Sequence, residues 1–301
     1  MPRTVIAGID GSAEARAAAL WAAREAERRK LPLKVLHVWQ PWTPAAAYAS
    51  LHIAAVSDTT GDEERWADRL LRETEEELQA LYPSLDLSFE RIPGNPIETL
   101  GAAADEAEIL VLGSRALGTV TGFLTGSISM AVLAHAKRPV VLVRPQEPSA
   151  EKGEQSGEER GDVVLGLDLA RPCDPLIEYA VDAAAVRSAA LRVVHVWTPP
   201  PLYGYDPAAV DPQHIADLGH RAEERLQEGL RPWRARFPQL RVESQCFADR
   251  PAPRLTEAAE GASLLVVGRR ARSRVGVVHI GPVTHAVLHH ARTPVVVVPH
   301  E

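Results

Sequence analysis

The feature that most constrains the fold is an internal repeat, because the two halves of the 301-residue chain match each other at four separate segments. Gly8 and Gly166 lie in matching segments 158 positions apart, and the segments that begin at Leu33 and Leu191 keep that separation. Two later pairs of segments are 155 positions apart, namely residues 109–116 with 264–271 and residues 131–145 with 286–299. A repeat of this length is a whole domain rather than a short structural unit.

The stretch between the two copies is polar, acidic and punctuated by Gly, Ser and Pro, which is typical of a solvated linker. We therefore predict a first domain over residues 1–146, a linker over 147–161 and a second domain over 162–301. The composition of 46% apolar and 24% charged residues supplies a packed core for each domain and a charged surface.

Within the first copy, short β-branched segments alternate with longer segments of helical pattern. The predicted strands are bounded by Gly, Pro or Asp, as buried parallel strands are, and they cover residues 5–9, 35–38, 87–91, 109–112 and 140–143. The predicted helices cover residues 13–29, 63–81, 96–104 and 127–136. This alternation predicts an α/β fold with a parallel sheet covered by helices on both faces. Ligands of such sheets bind beyond the carboxyl ends of the strands, where the strand order reverses.

Two predicted strand ends carry residues suited to an anion. The first strand runs into Gly8-Ile9-Asp10-Gly11-Ser12, where Ser12 can cap the next helix, although Asp-Gly is also the commonest plain turn. Gly113 ends the fourth strand, and Gly126 and Ser127 begin a helix. Glycines let a backbone approach an anion closely, and the free N–H groups of a helix start favour negative charge. The pattern favours a phosphate site, although it matches neither a Walker P-loop nor a GxGxxG fingerprint.

Both copies resemble universal stress proteins of the tandem, UspA-like type. The shared features are G-x-D at the end of the first strand, H-V-W after the second and P-V-V-x-V in the last. ATP-binding members carry G-x2-G-x9-G-[S/T] after the fourth strand. Gly113, Gly126 and Ser127 match that motif at the right spacing, while Ala116 replaces its middle glycine.

The resemblance implies two tandem Rossmann-like domains of the adenine-nucleotide α-hydrolase type, each with a five-stranded parallel sheet. It also implies an ATP site in the first copy, with Gly8, Asp10 and Val38 at the adenine and ribose end. The residues implied to hold the ribose and phosphates are Gly113, Ser114, Arg115, Gly118, Gly126, Ser127 and Ile128. A Mg²⁺ ion would be carried by the ATP phosphates rather than by a protein cage.

The second copy keeps fewer of these residues. Those that remain, and could form a second site, are Gly166, Asp168, Val196, Gly268 and Gly281. Ala271 replaces the middle glycine, and Pro282 stands in place of the serine, where it supplies neither a hydroxyl nor a backbone N–H. We therefore predict one ATP per chain, bound in the first copy.

Two further clusters of the second copy allow alternative interpretations. Its fourth-strand loop is basic, and we predict a solvated loop rather than a substitute anion site for Arg269, Arg270, Arg272 and Arg274. His285 and His289 could present two metal ligands on one helix face, but no third ligand of suitable spacing is evident, so no metal site is predicted. The alternative is that these are polar residues near the carboxyl end of a helix, where the helix dipole mildly favours a cation. This interpretation applies to His289, His290 and His135.

Charge and cysteine usage exclude several classes of protein. The net charge of −7 argues against a nucleic-acid binder. No segment is long and apolar enough to suggest a membrane span, and residues 1–12 indicate a strand rather than a signal peptide. Cys173 and Cys246 lack metal or disulfide spacing, which indicates buried or half-buried thiols in a reducing cytoplasm.

Together with these patterns, the resemblance implies a cytoplasmic ATP-binding regulator or sensor of the stress response. No catalytic dyad or nucleophile lies beside the predicted phosphate loop, so an enzyme is not predicted, and slow ATP hydrolysis is one alternative. A scaffold that has lost its nucleotide is another, and Ala116 and Pro282 keep it open. The apolar strands 140–143 and 295–298 are predicted to pair with each other or across a homodimer, because a bare edge strand invites aggregation.

Overall fold

The chain is known from a computed structural model that describes seven stretches of it, residues 3–40, 59–114, 126–145, 161–170, 173–198, 212–270 and 280–300. The chain divides into two compact units, Met1–Pro145 (unit 1) and Gln146–Glu301 (unit 2). Residues 147–160 of the predicted linker lie outside the described residues. Within the described stretches, no helix has the length and apolar character needed to cross a bilayer.

Unit 1 alternates strands with helices, as the sequence predicts. Its described strands are β1 (Val5–Ile9), β2 (Leu33–Trp39), β3 (Leu87–Pro93), β4 (Ile109–Gly113) and β5 (Val140–Val143). Its described helices are α1 (Ala13–Arg29), α2 (Thr59–Leu81), α3 (Pro96–Glu106) and α4 (Ser127–His135). The bounds of β1, β5 and α1 coincide with the predicted ones, and the predicted α/β class is confirmed.

The sheet of unit 1 is parallel throughout, with the strand order β3-β2-β1-β4-β5. Every residue of β1 and β5 is buried, and the alanine-rich face of α1 packs with Trp21 against one side of the sheet. The strand order reverses between β1 and β4. The carboxyl ends of these two strands therefore border the crevice in which α/β sheets bind ligands.

Unit 2 repeats this topology. Its described strands are β6 (Val163–Gly166), β7 (Leu191–Trp197), β8 (Val242–Ala248), β9 (Leu264–Arg270) and β10 (Val295–His300). Its described helices are α5 (Asp174–Val186), α6 (Pro212–Arg236), α7 (Pro251–Ala258) and α8 (Pro282–His290). The strand order within the unit is β8-β7-β6-β9-β10, also parallel, so the repeat seen in the sequence is a repeat of fold.

Both ends of α1 follow from local sequence. The Oγ atom of Ser12 accepts a hydrogen bond from the backbone N–H of Ala15 at 3.1 Å, which confirms the predicted cap. The helix ends at Lys30, which adopts a left-handed conformation with φ 55°. Ser188 does the same after α5, with φ 51°, so the two copies share this turn although neither residue is glycine.

A buried histidine secures the end of the first strand in each unit. The Nδ1 atom of His37 donates to the carbonyl of Ile9 at 2.9 Å, and that of His195 donates to the carbonyl of Leu167 at 2.8 Å. Buried carbonyls need a partner, and here the neighbouring strand supplies a side chain. The histidine of each H-V-W segment thus fixes the strand end that leads into the Asp turn.

The two thiols match the prediction, since Cys173 is buried, Cys246 is half-buried and neither is in a disulfide. Burial raises the pKa of the Cys173 thiol. Burial also raises the pKa of the Cys246 thiol, and the nearby Glu223 carboxylate adds to that effect. Both thiols are therefore in the protonated, weakly nucleophilic form at neutral pH.

The prediction of a fully solvated basic loop in unit 2 is wrong for Arg269. This residue is only 3% exposed and lies within β9, which continues two residues beyond Gly268. Burial lowers the pKa of its guanidinium group. Arg270 is exposed, whereas Arg272 and Arg274 lie outside the described residues.

Gly113, at the end of β4, packs directly under the first turn of α1. A Cβ atom at this position would lie 2.7 Å from the backbone nitrogen of Ala15 and 2.7 Å from the carbonyl carbon of Glu14. Real Cβ atoms do not approach backbone this closely, so only glycine lets the helix start here.

We expect Gly113→Ala to destabilise unit 1 by about 1–3 kcal/mol, because the new methyl group forces α1 away from β4. Gly101→Ala is the matched control, since Gly101 lies inside α3 and a Cβ atom there would have no described atom within 4 Å. This change should stabilise the unit by up to about 1 kcal/mol, through helix propensity. Denaturant unfolding of both variants tests the pair, and equal effects would contradict the packing role of Gly113.

Candidate functional site

A cavity of about 270 Å³ opens at the carboxyl edge of the unit 1 sheet, where the strand order reverses between β1 and β4. Its volume is close to the lower end of the roughly 300–1,000 Å³ typical of small-molecule sites. One wall is apolar and comes from strands and from α3, with Ile9, Leu36, Val38, Pro96, Leu100 and Leu112. The rim is polar and includes Asp10, Ser12, Glu14, Ser127 and Ser129.

The turn after β1 forms one side of the rim. The Oδ1 atom of Asp10 accepts hydrogen bonds from the backbone N–H of Ser12 at 3.0 Å and from its hydroxyl at 2.5 Å. Gly11 between them has φ +79°, a conformation that favours glycine. A Cβ at Gly11 would also lie 2.8 Å from the ring of Trp66 in α2. The turn is therefore fixed from both sides, and it holds the Asp10 carboxylate at the cavity edge.

The start of α4 forms the opposite side. Gly126 precedes the helix without any side-chain cap, and the first backbone bond of the helix runs from Met130 N–H to the Gly126 carbonyl at 3.1 Å. The N–H groups of the preceding first-turn residues therefore have no intrahelical acceptor, and all three of these residues line the cavity: Ser127, Ile128 and Ser129. A helix start of this kind is a ready site for an anion.

Seven of the ten residues predicted for the first copy line this cavity, namely Gly8, Asp10, Val38, Gly113, Gly126, Ser127 and Ile128. Ser114 is 2% exposed and does not line it, and its backbone N–H donates to the carbonyl of Val143 at 2.8 Å. Arg115 and Gly118 lie outside the described residues, as does Ala116.

The glycines of the cavity differ in why the fold needs them. A Cβ at Gly8 would lie 2.7 Å from Leu112 Cδ2 and 3.2 Å from Leu100 Cδ2, so Gly8 makes room for the apolar wall. At Gly126 the nearest described atom to a Cβ is Ser129 Oγ at 3.6 Å, an ordinary contact. The described residues therefore leave room for a Cβ atom at position 126, whereas a ligand against the helix start would require glycine there.

Ser129 is a site residue that the sequence reasoning missed. Its hydroxyl donates to the carbonyl of Gly113 at 3.1 Å and ties the start of α4 to the end of β4. Thr284 makes the same bond in unit 2, to the carbonyl of Gly268 at 2.9 Å. A hydroxyl residue three positions after the glycine in both copies was the available signal.

The described rim of the cavity is acidic. Asp10 and Glu14 are its only charged lining residues in the part of the chain that the structure describes. A bare anion here would be attracted by the α4 start and repelled by the two carboxylates. The site therefore suits an anion whose charge is partly neutralised, as by a bound divalent cation.

The corresponding place in unit 2 is built differently. Asp168 keeps the turn, since its Oδ1 atom accepts from the Ala170 N–H at 3.0 Å, without a hydroxyl partner. A Cβ at Gly268 would meet His300 Nε2 at 2.7 Å and Leu176 Cδ2 at 3.2 Å, where Gly113 meets helix backbone in unit 1. The other predicted residues, Gly166, Val196 and Gly281, lie at the ends of β6 and β7 and at the start of α8.

The start of α8 also lacks one donor. Pro282 occupies its first turn, directly after Gly281, and a proline carries no backbone N–H. Unit 1 has Ser127 at this place, with both a hydroxyl and an N–H.

Comparison with known proteins identifies the family. A model of the universal stress protein family matches residues 1–144 and 159–299. Universal stress protein Rv2005c of Mycobacterium tuberculosis is 31% identical over 309 residues, which cover 97% of this chain and 96% of that protein. Universal stress protein Rv1996 of the same species is 28% identical over 303 residues, covering 97% and 94%.

A solved structure agrees at the level of fold. The crystal structure of a universal stress protein from Archaeoglobus fulgidus is similar with a TM-score of 0.62 at 18% identity, covering 99% of this chain and 98% of that one. The family model matches each copy of the repeat separately, and the mycobacterial relatives are similar over nearly their whole length. The chain belongs to the universal stress protein family and carries two domains of that family in tandem.

Proposed function

We propose that unit 1 binds ATP and that the protein acts as a nucleotide-dependent regulator or sensor in the stress response. The observation that carries this proposal is the cavity at the switch point, which combines an apolar wall with an uncapped helix start. An apolar wall such as that of Leu36, Leu100 and Leu112 suits a flat heterocyclic base. A helix start with free N–H groups suits phosphate oxygens.

The acidic rim supports a metal-bound nucleotide over a bare one. Mg²⁺ is usually held by substrate phosphates together with water, and it would offset part of the repulsion between ATP and the Asp10 and Glu14 carboxylates. A carboxylate can also accept hydrogen bonds from the ribose hydroxyls of the nucleotide, and Asp10 is placed here in that role. The residues present therefore fit Mg²⁺–ATP with the phosphates at the start of α4.

Unit 2 is proposed to be empty or to bind ATP much more weakly. Pro282 removes a hydroxyl and an N–H at the helix start, and the His300 ring lies against Gly268. Losing two phosphate donors at about 1.5–3 kcal/mol each weakens binding by roughly two to four orders of magnitude. Titration calorimetry of nucleotide-free protein with Mg²⁺–ATP should therefore give one site per chain, and two equivalent sites would contradict the asymmetry.

Gly126→Val should abolish ATP binding while leaving the unfolding midpoint nearly unchanged. No described residue would clash with a Cβ atom there, so the expected clash is with the ligand. Gly281→Val is the matched control in unit 2, where a Cβ atom would have no described atom within 4 Å, and it should keep full ATP affinity. Unchanged affinity in Gly126→Val, or an equal loss in Gly281→Val, would place the nucleotide elsewhere.

Ser127→Ala should weaken ATP binding by about ten- to a hundredfold, because a hydrogen bond to a charged group is worth about 1.5–3 kcal/mol. Ser127→Thr keeps the hydroxyl and should restore most of the affinity. Calorimetry of both variants with ATP and with AMP measures the effect. If the loss is as large for AMP as for ATP, the hydroxyl contacts the part of the ligand that the two nucleotides share rather than the outer phosphates.

Two simple measurements separate this proposal from its alternatives. Mass spectrometry of small molecules released from the purified, denatured protein should detect an adenine nucleotide, whereas a scaffold without ligand would release none. Phosphate release from ATP, measured with wild type and Gly126→Val, tests for slow hydrolysis. Turnover that is equal in both proteins would come from a contaminant rather than from this site.

A further inference from the structure

Helix α8 of unit 2 carries two histidines whose rings face each other. His285 and His289 are four residues apart, so their side chains lie on the same face one helical turn from each other. Their Nε2 atoms are 3.3 Å apart, and the ring centroids are 4.4 Å apart with the planes tilted by 44°. His285 is exposed and His289 is half-buried, so the pair is accessible from solvent.

The spacing of the two nitrogens matches a tetrahedral metal. Zinc binds histidine nitrogen at about 2.0–2.1 Å, and two nitrogens 3.3 Å apart at those distances subtend about 104–111° at the ion. This is close to the tetrahedral angle of about 109°. In the metal-free chain a direct N–H···N hydrogen bond of 3.3 Å joins the two rings, and a metal ion would take the place of the shared proton.

The repeat shows that the fold does not require histidine at these positions. The residues 155 positions earlier, in α4 of unit 1, are Met130 and Ala134, and both are half-buried. The helix starts differ as well, since Gly126-Ser127 of unit 1 corresponds to Gly281-Pro282 of unit 2. The histidine pair therefore occurs in the copy in which Pro282 replaces the serine of the helix start.

Two protein ligands leave part of the coordination shell open. The described residues contain no group of three or more His, Cys, Asp or Glu side chains placed to hold one metal ion. Structural zinc sites use four protein ligands and catalytic ones three. A two-histidine site therefore holds its ion in exchange with the medium, with water or an outside ligand at the remaining positions.

We propose that His285 and His289 form an exchangeable site for a divalent transition-metal ion that prefers imidazole, with Zn²⁺ and Cu²⁺ as representatives. Imidazole suits zinc, copper and nickel, whereas Mg²⁺ and Ca²⁺ select oxygen ligands. The histidine pair shares no described residue with the proposed nucleotide cavity, whose described lining comes from unit 1. The metal proposal therefore stands whether or not unit 1 binds ATP.

The test is a Zn²⁺ titration of the full chain, prepared without a polyhistidine tag and stripped with a chelator, at one fixed pH because metal binding to imidazole depends on pH. The variants are His285→Met and His289→Ala, which copy the side chains of unit 1 and so are compatible with the helix. Each should lower the Zn²⁺ affinity by at least about tenfold, the loss that even an outer-shell partner can cause.

His290→Ala is the matched control, because His290 is exposed and adjacent in sequence but about 100° further round the helix. It should leave the Zn²⁺ affinity unchanged. Electron paramagnetic resonance of bound Cu²⁺ gives a second readout, in which coupling to two imidazole nitrogens in the wild type should be lost in either variant. Affinity that is unchanged in His285→Met and His289→Ala, an equal loss in His290→Ala, or no Zn²⁺ binding at millimolar concentration would overturn the proposal.

Discussion

The site of unit 1 depends on the close approach of the first turn of α1 to Gly113, where helix backbone takes the space of a side chain. This contact lets α1 begin immediately after β1, so that Ser12 caps the helix and orders the Asp10 turn through its N–H and hydroxyl. The Ser129 hydroxyl then ties the start of α4 to the carbonyl of the same glycine. One residue without a side chain thus brings two helix starts to the edge of one cavity.

Unit 2 shows what the same topology does when that approach is absent. Its helix α5 begins at Asp174, three positions later in the repeat than α1, and Gly268 packs instead against His300 and Leu176. The hydrogen bond from Thr284 to the Gly268 carbonyl persists. This link between β9 and the start of α8 therefore does not need a close approach of helix backbone to the glycine. The duplicated fold therefore retains its scaffold contacts while the surface at the switch point differs between the copies.

The sequence predicted most of the fold because its signals are local. The start of α1 after Ser12 follows from capping. Helix α2 begins at Thr59, four residues before the predicted start at residue 63. The prediction missed these four residues because they carry no apolar periodicity. The missed parts of the site depend on distant partners. The hydroxyl of Ser129 bonds a carbonyl 16 residues away, and the His300 ring lies against Gly268 of the neighbouring strand β9. The only sequence signal for the first contact is the hydroxyl residue that both copies carry three positions after a glycine, and the second contact leaves no pattern within a short window of sequence.

The position of Trp66 has a practical consequence. This side chain of α2 is 44% exposed, lies against Gly11 and makes an edge contact with the His37 ring at 5.5 Å between centroids. It therefore touches both the turn that holds Asp10 and the histidine that fixes the end of β1. Indole emission responds to local polarity and quenching, so this one of the six tryptophans is a built-in optical reporter of movement at the rim of the cavity.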